Sequence, residues 1–164
     1  ARYSKIKSPA EVVAGTLKLV GSFQTPEPTL PDVGPESGYM GQALLNPPSV
    51  EGWYTGTEWI NSGSLMNRIN FVVDMIGDIE RPGVQAIIER LKVQGDGSLE
   101  RLVDACLDLM GPIAVSDEAG RAALVEHVAQ RGPLSLAGTR TSEAEERVAD
   151  LLAVIASTRE CQLA

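Results

Sequence analysis

The sequence predicts an all-α fold, an irregular bundle of about seven helices interrupted by one long loop rich in Trp, Gly and Pro. Apolar residues recur at three- and four-residue spacing along most of the chain, the period of a helix with one buried face. Helix start and stop residues fall between those stretches. Rings are scarce, two Phe, two Trp and three Tyr in 164 residues, so Leu, Ile, Val, Ala and Met must fill the core, which suits helix-on-helix packing. The only strand-like run, Pro112 to Ser116, is too short to seed a sheet. No internal repeat of about 20–50 residues is visible, which argues against a solenoid.

The elements follow in order. Ser8, Pro9 and Glu11 make a helix start, with Ser8 as N-cap, Pro9 at the first helical position and Glu11 closing a capping box. Val12, Val13, Leu17 and Val20 carry the apolar period to a stop near Gly21. Residues 24–38, with Pro26, Pro28, Pro31 and Pro35, read as an extended connector. A short helix over Glu36 to Leu45 precedes the loop. Asn61 or Ser62 caps the next helix, whose expected inner stripe is Leu65, Met66, Ile69, Val72, Val73 and Ile76. Pro82 starts another, with Val84, Ile87, Ile88 and Leu91 facing inward, broken by the glycines at 95 and 97. Leu99 to Met110 is amphipathic and stops at Gly111-Pro112. Ser116 caps a helix running to about Gln130. The last long helix starts at Thr141 or Ser142, with Ser142 and Glu145 fitting a capping box and Val148, Leu151, Leu152 and Ile155 inside. Its acidic start, Glu143, Glu145 and Glu146 followed by Arg147, reads as a solvated run matched to the helix dipole. A final turn spans Arg159 to Leu163.

Residues 1–164 are expected to form a single helical domain. Because the chain begins with Ala1 and carries no signal-peptide pattern, it reads as part of a longer or processed protein. The net charge of −8 opposes binding to phosphate backbones and weakens binding to anionic membranes. No apolar run reaches the roughly 18 residues needed to span a bilayer. Cys106, set among Leu102, Val103, Leu107 and Leu109, reads as a buried free thiol rather than half of a bridge to Cys161. The single histidine, His127, has no Cys or His partner at ligand spacing, and neither a phosphate loop nor a nucleophile elbow is present. No metal and no cofactor is expected.

Gly41-Gln42, Asn46-Pro47-Pro48, Val50, Gly52-Trp53, Gly56, Trp59 and Leu65 to Arg68 together resemble the signature of a bacterial family catalogued as domain of unknown function 1800. Lys5 to Glu11 is similar to that family's Lys-Ser-Pro-x-Glu element, and Ala156 to Gln162 to its C-terminal ending. Tyr54 and Cys161 depart from the pattern, standing where a small residue or proline and an aromatic are usual. The resemblance implies the C-terminal portion of a large, mostly helical, exported protein, periplasmic or extracellular, of unestablished activity. Family members often sit beside genes for another exported, phosphatase- or sulfatase-like family. It carries over no catalytic residue. The implied partners are the rest of a parent chain and, further afield, another exported protein or a polysaccharide.

The loop LLNPPSVEGWYTGTEWINSGSLMNR holds both tryptophans, and residues 39–71 hold five of the seven aromatics. Structurally, Trp53 and Trp59 would plug the space between helices with their indole N–H groups on backbone carbonyls. Gly52 and Gly56 would take positive φ. Arg68 would tie down loop carbonyls or stack on a Trp. Functionally, Trp53, Tyr54 and Trp59 could line a ligand face, with Glu51, Glu58 and Asn61 as polar contacts and Arg68 beside them. Flat rings beside carboxylates suit carbohydrate, and a Glu51/Glu58 pair could mimic a glycosidase dyad. The leading expectation is a non-catalytic structural or interaction module, the alternative a polysaccharide-binding or hydrolase-associated domain.

Overall fold

The structure, a computed structural model, describes residues 5–22, 34–94, 97–111, 118–132, 134, 136 and 142–163. Among these lie eight α-helices: α1 (Pro9–Leu19), α2 (Gly34–Tyr39), α3 (Ser62–Gly77), α4 (Pro82–Gln94), α5 (Leu99–Met110), α6 (Glu118–Ala129), α7 (Ser142–Ser157) and α8 (Arg159–Gln162). A 3-10 turn covers Gly56–Trp59. Extended pairing among the described residues is limited to two isolated bridges, Ile6 with Leu163 and Ser49 with Gly52. The all-α expectation holds. The segment 112–116, the cap at Ser116, the cap at Thr141, the break at 95–96 and most of the connector (24–33) lie outside the described residues.

Helix α7 is the centre. It packs on α3, α4, α5, α6 and α8. Val148, Leu151, Leu152 and Ile155 are fully buried, as their spacing predicts, and Ala149, Ala153 and Ala156 fill the gaps between them. A helix with partners on most sides must be apolar on most sides, and small residues let several neighbours approach. The acidic start of α7 departs from expectation. Ser142 is already the first helical residue, and its hydroxyl donates to Glu146 at 2.8 Å. Glu145 and Arg147 are buried. Glu145 accepts from Lys92 on α4 at 2.7 Å, and Arg147 donates to the carbonyls of Val128 and Gly132 at the end of α6. The charge run is therefore divided: Glu143 and Glu146 are exposed, as expected, while Glu145 and Arg147 tie α7 to its neighbours through partners that a local reading cannot see.

The helix ends follow their sequence signals. The Ser8 and Glu11 capping box is complete. At the other end of α1, Gly21 has φ of 72°, and the N–H groups of Gly21 and Ser22 return to the carbonyls of Lys18 and Leu17. The same closure ends α2 early. Gly41, at φ of 99°, and Gln42 donate to the carbonyls of Gly38 and Ser37, so the helix stops at Tyr39 instead of continuing to Leu45.

The largest departure concerns α3. Its buried face is Ser64, Arg68, Phe71, Val72 and Ile76, while Met66 and Val73 face water. The apolar stripe read from sequence is rotated because the first two turns present polar residues to the interior. Their hydrogen bonds explain why.

Candidate functional site

The loop between α2 and α3 has an inner and an outer side. On the inner side, Trp59 is 5% exposed and sits in the 3-10 turn. The loop is locked to α3 by a small network. Asn61 is the N-cap, accepting from Ser64 N–H at 2.9 Å, while the Asn61 N–H donates to Ser64 Oγ at 3.0 Å. Ser64 Oγ donates to the Trp59 carbonyl at 2.7 Å. Ser64 thus performs the carbonyl-tying task expected of Arg68, and a hydroxyl is buried there because its bonds are satisfied. Glu58 accepts from the Thr55 N–H at 3.1 Å, capping the 3-10 turn. Gly52 and Gly56 take φ of 102° and 57°, as expected.

On the outer side, Trp53 is half-buried and its indole N–H donates to the Ala43 carbonyl at 3.2 Å, the plug role predicted for it. Tyr54 is half-exposed and meets Trp59 edge-on, with ring centroids 6.2 Å apart and planes at 85°. These two rings do not form a flat platform. Glu51 and Glu58 are both exposed, and Glu58 is engaged by the Thr55 N–H. Leu44, Leu45 and Val50 project into water, and Tyr39 and Met66, on the flanking helices, are exposed as well. Leu45 stands out twice. It is 96% exposed, and at φ of 64° it is the only described non-glycine residue in the left-handed region. Such a conformation costs a Cβ-bearing residue about 1–2 kcal/mol.

Arg68 departs from expectation altogether. It neither ties the loop nor stacks on a tryptophan. Buried at 0% exposure, it lies where the two ends of the chain meet. Its Nη2 donates to the Lys7 carbonyl at 2.7 Å and its Nε to Gln162 Oε1 at 3.3 Å. Gln162 in turn donates from Nε2 to the Ala156 carbonyl, and Lys7 Nζ reaches the Cys161 carbonyl at 2.6 Å. The Lys7 N–H bonds to the Gln162 carbonyl beside the Ile6–Leu163 bridge. A guanidinium suits this junction because its donors diverge in one plane and can hold two segments at once. Burial pushes its pKa below the ordinary value, and the nearby charge of Glu11 opposes that shift.

The chain belongs to the family described as Protein of unknown function (DUF1800). That family's model matches residues 1–163. No curated protein and no solved structure matches significantly. The residues that carry the resemblance have definite places: Gly52, Trp53, Gly56 and Trp59 occupy turn and plug positions in the loop, and Arg68 in α3 joins Lys7 to Gln162, one residue from each of the two terminal elements.

Elsewhere, reactive groups are engaged or shielded. Cys106 is buried and free, its thiol pushed up to about 12 by burial. Cys161 is also free, so the two do not pair; burial raises its pKa and Lys7 partly opposes this. His127 Nε2 lies 3.3 Å from Asp150, which also meets Arg131. The described residues contain no cluster of three metal-ligating side chains and no helix long and apolar enough to cross a membrane.

Leu44, Leu45 and Val50 are not among the contact residues expected from sequence, Val50 entering there only through the family resemblance. The helix expected over Glu36 to Leu45 would have given the leucine pair a face to bury, and its stop at Tyr39 leaves both leucines outside it.

Proposed function

We propose that this chain is a non-catalytic interaction module and that the outer side of its Trp-rich loop is the contact face. The observation that carries the reading is Leu45, an apolar side chain held in water on a backbone conformation that penalises it. Folding alone disfavours both features, so binding is the selection that maintains them. Leu44, Val50, Trp53 and Tyr54 extend the face, with Glu51 as a polar contact. Trp59 serves as its backing, with Glu58 and Asn61 holding the turn that carries it, while Arg68 belongs to the terminal junction. The ring planes at 85° favour a protein surface over a flat sugar, because carbohydrate stacking uses a ring lying parallel to the sugar face. The exported character that the family resemblance implies supports a partner that is exported too, or the remainder of a longer parent chain.

A photo-reactive benzoylphenylalanine placed at Leu45 or Val50, in cells that make the protein, tests this. Discrete cross-linked products are expected at both positions and not at Val93, an equally exposed residue of α4. Equal products at all three positions, or none at 45 and 50, would contradict the reading. Suppression of the products by soluble polysaccharide would favour the carbohydrate alternative.

A further inference from the structure

A second surface is independent of the loop. Between α1 and α4 lies an open groove of about 1190 Å³, floored by Val72 and Ile76 of α3 and Ala156 of α7. None of the loop residues lines it. One wall is Val12, Gly15, Thr16 and Leu19; the other is Gly83, Ala86, Ile87 and Arg90. Both sets step through i, i+3, i+4 and i+7, so each helix turns one continuous stripe toward the gap. The helices meet closely where the Gly83 N–H donates to the Val20 carbonyl at 2.9 Å. A Cβ on Gly83 would lie 2.0 Å from the Leu19 carbonyl oxygen, so only glycine permits this approach. Farther along, Gly15 and Ala86 leave the walls thin, and a Cβ on Gly15 would meet nothing within 4 Å.

The volume exceeds the roughly 300–1,000 Å³ of an ordinary small-molecule pocket. Two diverging helix stripes with small residues facing the gap instead suit a third helix laid between them. Charge narrows the choice. In a chain of net charge −8, the groove gathers Lys7, Lys18 and Arg90. Lys18 and Arg90 are exposed and form no ion pair among the described residues. Of the two lining carboxylates among the described residues, Glu11 is engaged by Lys5 and by the Ser8 N–H. Glu160 is the other.

We infer that this groove receives an amphipathic helix of acidic character, its apolar face on Leu19, Ala86, Leu109 and Met110 above the buried floor of Val12, Val72, Ile76 and Ile87, and its carboxylates toward Lys18 and Arg90. From Glu11 to Leu19, α1 offers a wall of about 12 Å, enough for two turns or slightly more of the occupant.

Fluorescence polarisation with the purified chain tests the inference. The probe is a labelled 15-residue peptide with Leu at the i, i+3, i+4 and i+7 positions and Glu elsewhere. Its controls are a twin with Lys for Glu and a twin broken by two central prolines. The acidic helix-former is expected to bind at least about tenfold more tightly than either twin, with a preference over the Lys peptide that shrinks as salt rises. Gly15→Phe fills the open wall and is expected to abolish binding. Lys18→Glu with Arg90→Glu, both exposed and remote from the core, is expected to weaken it about tenfold even if Gly15→Phe proves hard to fold. Equal binding of acidic and basic peptides, no binding, or binding unchanged by the charge-reversal pair overturns the inference.

Discussion

Residues 44–54 and 59–68 are neighbours in sequence with opposite burial. The first stretch sends Leu44, Leu45, Val50 and Tyr54 into water, while the second sends Ser64 and Arg68 into the interior. The usual sorting of side chains is inverted on both sides, for different reasons. The buried polar groups make hydrogen bonds that no apolar residue could make: Ser64 joins the loop to α3, and Arg68 joins the N-terminal segment to α8. The exposed apolar groups make no comparable return to the fold. Burial of polarity is here explained from within the molecule, whereas exposure of apolarity calls for something outside it.

The sharpest way to break this contrast is to truncate the inner side. Trp59→Ala should cost about 3–5 kcal/mol, the range for a buried large aromatic, read as a lower denaturation midpoint. An unchanged midpoint would mean that the inner side is not part of the core.

Arg68→Met retains length and removes the donors. It orphans the Lys7 carbonyl and Gln162 Oε1, and the expected loss is about 2–4 kcal/mol. The loss should come with faster amide exchange in residues 5–8 and 159–163, because those segments are what Arg68 holds. A stable variant with unchanged exchange at both ends would refute the junction.

Trp53→Ala sharpens the boundary between the two sides. The ring is half-buried and holds one carbonyl, so a loss of about 1–2 kcal/mol is expected, well below that of Trp59→Ala. Equal losses would erase the distinction between plug and core.

A smaller effect is expected in acid. Glu11 is held near 2, chiefly by its hydrogen bond to Lys5 and then by the Ser8 N–H. Its folded pKa lies below its unfolded value of about 4.5, so its contribution is complete above that pH and is lost as pH falls from about 4.5 toward 2. Glu11→Gln should flatten the acid limb of a stability profile in that window. Because the side chain is substantially exposed, the change should be slight.

Much of the fold was legible. The Ser8 cap, the Gly21 stop, the Pro82 start, the α4 stripe and the α7 stripe are local signals, and each appears where its residues predict. The rotation of α3 was not legible, because hydrophobic spacing assumes that the interior rewards apolar atoms alone. Arg68 and Ser64 are inside for the sake of carbonyls at residues 7 and 59. The same limit applies to Glu145, whose partner Lys92 is 53 residues away. Of the candidate site, the turn glycines and the Trp53 plug followed from sequence. The strained leucine did not, since φ at a non-glycine residue has no reliable sequence signature.

The central claim is that Leu45 is kept against the interest of the fold, and Leu45→Asn tests it most directly. Asn tolerates the left-handed conformation and removes an apolar side chain from water. A gain of about 1 kcal/mol is expected, raising the melting temperature of a chain this size by about 2–4 °C. Cross-linking from position 50 in the same variant should fall. A lower melting temperature, or undiminished cross-linking, would contradict the claim.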